Sequence, residues 1–338
     1  LGRVLDAFDE HNLWDNTMLI VNTDHGLLMG EHDWWAKVVT PFFQEIAHIP
    51  FWAYDPRTPD IVDKKSDALA QTIDLGPTIL DFFNIPLTED MQGKPIFDYT
   101  SAEKEIRQAS LYGVMGGQVN VTDGEYVYMR ANTTEDNKPL FDYTLMPTHM
   151  KNRFKPRELQ EWEKVEGFSF MKGCKVMQIP TRTFPIFYSK DNPLGRGRTA
   201  TLLFDVNADP GQLNPLDDQA IEMRMIKLMI KEMARNECPS EQYVRLGLPE
   251  PERLGKGHGD DLIKMPSDKA ILDSCVLKKP QGVESAKHGA EGFPKMPFKD
   301  VFWEGEKTLR STTFPDNLRL RPGYLISQSD GPIKKDKK

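Results

Sequence analysis

The sequence predicts an α/β chain in which helices flank a mixed or parallel sheet, and a smaller α+β part follows. Four apolar residues at helical spacing predict an amphipathic helix over residues 1–12: Leu1, Val4, Leu5 and Phe8. Short apolar runs at 17–23 and 49–54 predict two buried strands. Residues 74–83 read as a second helix with Asp74 as its N-cap. This alternation predicts the α/β class.

From about Ala109 the pattern changes to antiparallel strands and one long helix. Asp123-Gly124 lies between two β-rich runs and predicts a hairpin, and residues 201–206 predict a further strand. A stripe of apolar residues predicts a helix that ends near Asn236: Ile226, Met229, Ile230 and Met233. We therefore divide the chain into an α/β part, 1–108, and an α+β part, 109–249.

The last part of the chain, 250–338, is rich in proline, glycine, lysine and aspartate and shows little periodicity. Runs such as Gly255–Asp261 and Lys334–Lys338 are typical of loops or disorder. The sequence therefore predicts a loop-like or partly disordered extension.

Composition narrows the class of protein. The 338 residues are 39% hydrophobic and 28% charged, enough to bury a core, and the net charge of −8 argues against a nucleic-acid partner. No apolar run approaches the roughly twenty residues of a membrane span. No signal segment follows Leu1, so we expect a soluble protein whose compartment, cytoplasmic or exported, stays open.

One segment carries the strongest candidate functional residues. It is Asn22-Thr-Asp-His-Gly-Leu-Leu-Met-Gly-Glu31, directly after the apolar run Met18–Val21. Open α/β sheets place ligand-binding groups at the carboxyl ends of their strands. Asp24 offers carboxylate oxygens and His25 an imidazole nitrogen, and a divalent cation can use both. The segment therefore predicts a metal site.

Three further residues extend this prediction. Gly26 and Gly30 allow close backbone approach or positive φ. Lys37 can reach back and place a point charge on an anion. Together these residues predict a metal-assisted reaction on an anionic group.

These motifs resemble the second half of a sulfatase of the alkaline-phosphatase-like superfamily. The phrases that carry the resemblance occur in family order: Asp15–His32 with Lys37, Glu45–Phe51, Thr72–Asp81, Met91–Lys94 and Leu203–Gln212. The resemblance extends over roughly residues 1–249 and implies a partial alkaline-phosphatase-like mixed sheet, followed by the smaller α+β subdomain.

The nucleophile motif of the family is not in this sequence. Sulfatases carry Cys or Ser followed by x-Pro-x-Arg before the Asp-His-Gly strand, and that residue becomes formylglycine. None of Cys174, Cys238 and Cys275 has this sequence context, although Cys238-Pro-Ser comes near. We therefore expect the carboxyl-terminal part of a sulfatase, a fragment that is inactive alone.

The resemblance assigns roles to individual residues. Asp24 and His25 are metal ligands, for calcium first and manganese as an alternative. Lys37, thirteen residues after Asp24, is the catalytic lysine that holds the sulfate. His32 either contacts substrate or stabilises its turn, and His149 is a candidate for substrate specificity.

The resemblance implies metal-dependent hydrolysis of sulfate monoesters, with a sulfated small molecule or carbohydrate as partner. Two other functions stay open. One is a phosphonate or phosphate monoester hydrolase of the same superfamily, and the other is a non-catalytic remnant that acts as a binding module.

Overall fold

The computed structural model describes residues 1–33, 35–37, 41–59, 65–97, 106–134, 136–149, 152–181, 201–255 and 259–277. The chain divides into two units, Leu1–Pro294 and Lys295–Lys338, and all of the described residues belong to the first. Helices and antiparallel sheets alternate along that unit, so the predicted α/β class is confirmed.

The helices are α1 (Gly2–Glu10), α2 (Gln44–Ala47), α3 (Leu75–Phe82), α4 (Gln219–Arg235), α5 (Ser240–Leu246) and α6 (Asp268–Leu277). The first strands are β1 (Leu19–Asn22), β2 (Leu28–Met29), β3 (Trp35–Ala36), β4 (Phe51–Tyr54), β5 (Ser110–Gly113), β6 (Val119–Thr122) and β7 (Tyr126–Arg130). The later strands are β8 (Phe141–Thr144), β9 (Glu163–Val165), β10 (Val176–Pro180), β11 (Leu202–Asp205), β12 (Glu252–Arg253) and β13 (Ile263–Lys264).

In the α/β part, β1 pairs with β4 in antiparallel register, with Leu19 opposite Tyr54. Aromatic side chains join this pair to α1. The Trp14 ring lies 4.7 Å from Phe8, which is the buried residue of the helix, and 5.0 Å from Tyr54. The Tyr54 hydroxyl also donates to the Trp14 carbonyl at 2.8 Å. These contacts fix the strand whose carboxyl end carries Asp24.

The start of α3 depends on a buried carboxylate. Asp74 is fully buried, and it binds both guanidinium nitrogens of Arg107 at 2.6 and 2.7 Å. Its oxygens also accept the backbone amides of Gln71 at 2.8 Å and Lys94 at 3.0 Å. Asp74 therefore differs from the predicted N-cap: it makes no side-chain bond to the α3 amides and instead joins three separate chain segments.

The α+β part is built on a four-stranded antiparallel sheet with the order β11-β7-β6-β5. The predicted hairpin is confirmed as β6 and β7, and the predicted helix as α4. One face of the sheet packs on α4, whose predicted apolar stripe is buried. The other face packs on Phe43 through Val127, Met129 and Phe204. The sheet therefore has a second apolar face, which covers the loop before α2.

A second sheet, ordered β8-β10-β9, lies in the same part and is also antiparallel. Its β8 is joined to α5 by the Tyr143 hydroxyl, which donates to Glu241 Oε1 at 2.5 Å. His149 lies in the segment that connects β8 to β9 of this sheet.

Part of the predicted loop-like extension is folded. Residues 252–277 contain β12, β13 and α6, and Ile271 of α6 is fully buried in the core against α4. The loop interpretation is therefore wrong for these three elements, because α6 docks on the core through Ile271 although periodicity alone did not reveal the helix. Residues 278–338 of the predicted extension lie outside the described residues. Within the described part, no helix has the length and apolar character required to cross a membrane.

Candidate active site

The candidate site lies just beyond the carboxyl end of β1. Nε2 of His25 is 3.1 Å from Oδ2 of Asp24, so the two predicted metal ligands converge on one side of the loop. The His25 amide donates to Asp24 Oδ1 at 3.0 Å, and the Thr23 hydroxyl donates to the same oxygen at 3.3 Å. Asp24 is exposed, whereas His25 is one-third exposed. The predicted ligand pair is therefore accessible from solvent.

These contacts lower the pKa of Asp24. Slight burial raises it, but the positive charge that a protonated His25 ring places beside the carboxylate and the hydrogen bonds from the His25 amide and Thr23 lower it by more. The pKa therefore lies below its ordinary value, and Asp24 is ionised at neutral pH. An ionised carboxylate is the form that binds a cation.

Gly26 turns the chain immediately after His25. Its amide donates to the Ile46 carbonyl at 2.9 Å, and a Cβ at this position would overlap the Glu45 carbonyl. Only glycine allows this approach to α2, which confirms the close-approach role predicted for Gly26. Gly30, with φ of 126°, confirms the alternative prediction of positive φ.

Strands β2 and β3 form a small antiparallel hairpin between His25 and Lys37, with Leu28 opposite Ala36. Because the hairpin returns the chain to its start, Lys37 lies beside His25: Nζ is 2.5 Å from Nε2. The structure thus brings Asp24, His25 and Lys37 together, as the sequence spacing predicted, whereas their chemical roles stay predictions.

Hydrogen bonds define the tautomer of His25. Nδ1 lies 2.9 Å from the Gly26 carbonyl, which can only accept, so Nδ1 carries the proton. Nε2 then presents its lone pair to the ammonium of Lys37. The carboxylate of Asp24 and this lone pair repel each other unless a positive charge lies nearby, and in this structure the ammonium of Lys37 contacts the lone pair.

His32 lies at the tip of the β2–β3 hairpin and is only 7% exposed. Its ring stacks on Phe43, with centroids 3.5 Å apart and an angle of 7° between the planes. Nε2 is 3.6 Å from Glu45 Oε2. Burial lowers the pKa of His32, and the nearby carboxylates only partly offset that effect. This geometry favours the turn-stabilising alternative for His32, and substrate contact stays a prediction.

His149 bonds within its own loop. Nε2 lies 2.9 Å from Glu158 Oε1, and the ring is 4.2 Å from Phe154. The backbone amide donates to the Asn152 carbonyl at 2.7 Å. Half of the side chain remains exposed, so it is available to a ligand, and its role in specificity stays a prediction.

Sequence reasoning missed the residues that support the hairpin. Phe43 is buried, the Gln44 amide donates to Gln212 Oε1 at 2.7 Å, and Glu45 faces His32. Gln212 is the last residue of one family-like segment, Leu203–Gln212, and Glu45 is the first residue of another. The sequence does not show that these two segments are in contact. Only the folded chain joins positions 168 residues apart.

Two of the three cysteines, Cys238 and Cys275, have partly buried and unactivated thiols. Cys174 is exposed, and Cys238 and Cys275 are partly buried, all three as free thiols. Burial raises the pKa of Cys238 to about 12, and burial also raises that of Cys275. These two thiols are therefore protonated at neutral pH and poor nucleophiles.

The donor set of Asp24 and His25 fits part of a metal shell. A metal-bound histidine generally donates its other ring N–H to a carbonyl or carboxylate, as His25 does to Gly26. In the part of the chain that the structure describes, however, no group of three His, Cys, Asp or Glu side chains is arranged to hold a metal ion. If the pair holds a metal ion, it would supply two ligands of a shell that needs more, and this role stays a prediction.

Comparison with known proteins finds similarity to sulfatases. The family model described as Sulfatase matches residues 1–85, which contain Asp24, His25 and Lys37. An arylsulfatase of Clostridium perfringens is 33% identical over 116 residues, 33% of this chain and 24% of that protein. An N-acetylglucosamine-6-O-sulfatase of Bacteroides thetaiotaomicron is 29% identical over 101 residues, 29% of this chain and 18% of that protein.

A solved structure, described as a complex with its substrate D-glucosamine-2-N,6-O-disulfate, superposes with a TM-score of 0.42. The identity is 15%, over 71% of this chain and 38% of that chain. The family model over residues 1–85 and these sequence matches show that this part of the chain is similar to sulfatases. The chain spans about a quarter or less of the length of these two curated relatives.

Proposed function

We propose that this chain is part of a metal-dependent sulfatase that hydrolyses sulfate monoesters. The observation that carries the proposal is the meeting of Asp24, His25 and Lys37 at the end of β1, inside the segment that matches the family model. A carboxylate and an ammonium, each in contact with the same imidazole, form a site for a cation and an anion together.

Asp24 and His25 would hold the divalent cation, calcium first and manganese as the alternative. Calcium prefers six or more oxygen ligands, so the remaining ligands must come from outside this pair. A bound divalent cation supplies Lewis-acid stabilisation of charge on the sulfate oxygens. The Nδ1 bond to Gly26 keeps the Nε2 lone pair directed toward the shared position.

Lys37 would bind the sulfate group. Its ammonium already contacts Nε2 of His25, so a short movement of a flexible side chain places it on an anion next to the ligand pair. Fixed positive charge stabilises the negative charge that develops on the equatorial oxygens during displacement. The nucleophile in this proposal is a formylglycine, and the motif that produces it is not in this sequence.

The substrate class we propose is a sulfated small molecule or carbohydrate. The curated relative named as an N-acetylglucosamine-6-O-sulfatase supports a carbohydrate sulfate. The half-exposed His149 is a candidate contact to the alcohol part of the ester.

The decisive experiment compares sulfate and phosphonate monoesters of 4-nitrophenol as substrates. The protein tested is the gene product that contains both this chain and a Cys-x-Pro-x-Arg motif. We expect turnover of the sulfate ester, with kcat/KM reduced by about 100- to 1,000-fold in Lys37→Ala, a loss typical of one removed charge-stabilising donor. The matched control is Lys138→Ala, an exposed lysine paired with Asp136.

Two outcomes would overturn the proposal. Preferred turnover of the phosphonate ester would assign the chain to the phosphonate and phosphate monoester hydrolases of the superfamily. No turnover of either ester, with binding of inorganic sulfate retained and dependent on Lys37, would assign it to a non-catalytic binding module.

A further inference from the structure

The β2–β3 hairpin has its two ends in different surroundings. At its base, His25 and Lys37 meet beside Asp24. At its tip, His32 adopts a left-handed backbone conformation, with φ of 54°, and directs its ring away from solvent. A two-stranded hairpin of this length is not stable by itself, so contacts at the tip decide how the base is held.

The tip is packed against Phe43, which in turn contacts the α+β part. His32 stacks on Phe43, and the Phe43 ring contacts Phe204 of β11 edge to face at 6.3 Å. The next amide, that of Gln44, donates to Gln212, which is itself buried. The stack on Phe43 therefore connects the hairpin tip to the four-stranded sheet.

The same helical turn supports both ends of the loop. The Ile46 carbonyl of α2 accepts the Gly26 amide, next to His25, and Glu45 of α2 faces His32 at the tip. The hairpin also has a bond of its own at the tip, where Glu31 Oε2 accepts the Met29 amide at 2.5 Å. The loop is therefore held at Gly26, before β2, and at His32, between β2 and β3.

We propose that His32 is a positioning residue: its stack on Phe43 fixes the hairpin tip to the α+β part and so holds Lys37 against His25. The inference rests on the proposed function, because the site that His32 positions is the site proposed there. In this proposal, the stack of His32 on Phe43 is the cause of the contact between Lys37 and His25. The α+β part is then necessary for the geometry of the site.

The test is trace acetylation of lysines with acetic anhydride on the full chain, with the rate at each lysine read by mass spectrometry. In the wild type, contact with His25 protects Lys37. In His32→Ala we expect acetylation of Lys37 to be about five- to tenfold faster, the loss that one aromatic contact represents. The rate at Lys138 should not change, because its exposed site is remote in sequence and bonded elsewhere.

Two further variants separate positioning from general stability. His32→Phe keeps a ring on Phe43 and should restore protection of Lys37. Phe43→Leu keeps an apolar side chain but removes the stack, and should release Lys37 as His32→Ala does. The matched control His149→Ala removes a histidine that also pairs with a glutamate, and should leave Lys37 at its wild-type rate.

An unchanged acetylation rate at Lys37 in both His32→Ala and Phe43→Leu would overturn the proposal. Equal acceleration of acetylation at every lysine in His32→Ala, His32→Phe and Phe43→Leu would also overturn it. The labelling does not depend on ester hydrolysis. Selective release of Lys37 without any turnover of sulfate esters by the gene product would therefore refute the proposed function and leave the positioning role intact. Turnover of sulfate esters without selective release of Lys37 in these variants would refute the positioning role and leave the proposed function intact.

Discussion

The Lys37 ammonium and the His25 imidazole are in direct contact, with Nζ 2.5 Å from Nε2. This contact uses the lone pair that a divalent cation would need, because Nδ1 is committed to the Gly26 carbonyl. Cation binding at Asp24 and His25 therefore requires Lys37 to move, and Lys37 that has moved is available to an anion. The two binding events are expected to assist each other.

Removal of Lys37 should strengthen cation binding by the chain. We expect Lys37→Met to raise the affinity for Mn²⁺ about 10- to 150-fold, because a hydrogen bond from a charged donor is worth about 1.5–3 kcal/mol. Paramagnetic broadening of the His25 ring signals measures even weak binding. Asp24→Asn should abolish the broadening, and an unchanged affinity in Lys37→Met would show that the lysine does not compete.

The chain by itself should not hydrolyse sulfate esters. Its cysteines lack the family's nucleophile context, and burial raises the pKa of the Cys238 thiol to about 12. A purified 338-residue preparation should therefore release no 4-nitrophenol from its sulfate ester above the level of a Lys37→Ala preparation. Turnover that disappears in the Lys37→Ala control would contradict this expectation.

Gly26→Ala should destabilise the fold, whereas Gly76→Ala should not. A Cβ at Gly26 overlaps the Glu45 carbonyl, so the loop must separate from α2, at a cost of about 1–3 kcal/mol typical of overpacking. Gly76 lies inside α3 with open space around it, and alanine there should stabilise the helix by about 0.5–1 kcal/mol. Urea denaturation of both variants measures the difference, and equal effects would refute the close packing at Gly26.

Asp74→Asn should cost about 3–5 kcal/mol, because it leaves the guanidinium of Arg107 buried without its carboxylate. The double variant Asp74→Asn/Arg107→Met should recover part of that loss. Asp136→Asn, which removes an exposed partner of Lys138, should leave the unfolding midpoint nearly unchanged. A small effect at Asp74 would show that the three segments are held by other contacts.

His32 should make stability depend on pH. Burial lowers its pKa below 6.5, despite opposing effects of Glu45, Glu31 and Asp209. The folded state therefore binds fewer protons than the unfolded state, so this contribution is complete above pH 6.5 and is lost as the pH falls toward the folded-state pKa. Urea unfolding between pH 8 and pH 5 should show a smaller decline in His32→Phe than in wild type. Identical pH profiles would assign the decline to other groups.

The sequence by itself determined the local features of this protein. Periodicity gave the helix that contains Phe8 and the stripe of α4, and Asp123-Gly124 gave the hairpin of β6 and β7. The Asp24-His25-Gly26 segment after an apolar run predicted a site with two ligand types, and the structure brings Asp24 and His25 together there while their metal role stays a prediction. Such features follow from residues a few positions apart, which share one helix face or one strand end whatever the rest of the chain does.

The tertiary structure alone decided which distant segments support that site. The bond between Gln44 and Gln212, the stack of His32 on Phe43 and the ion pair of Asp74 with Arg107 have no periodic signal, because they depend on where the chain returns. For the same reason, the sequence did not predict that Ile271 packs in the core. The side chain of a residue determines its chemistry, whereas packing among all the elements determines its partners and its burial.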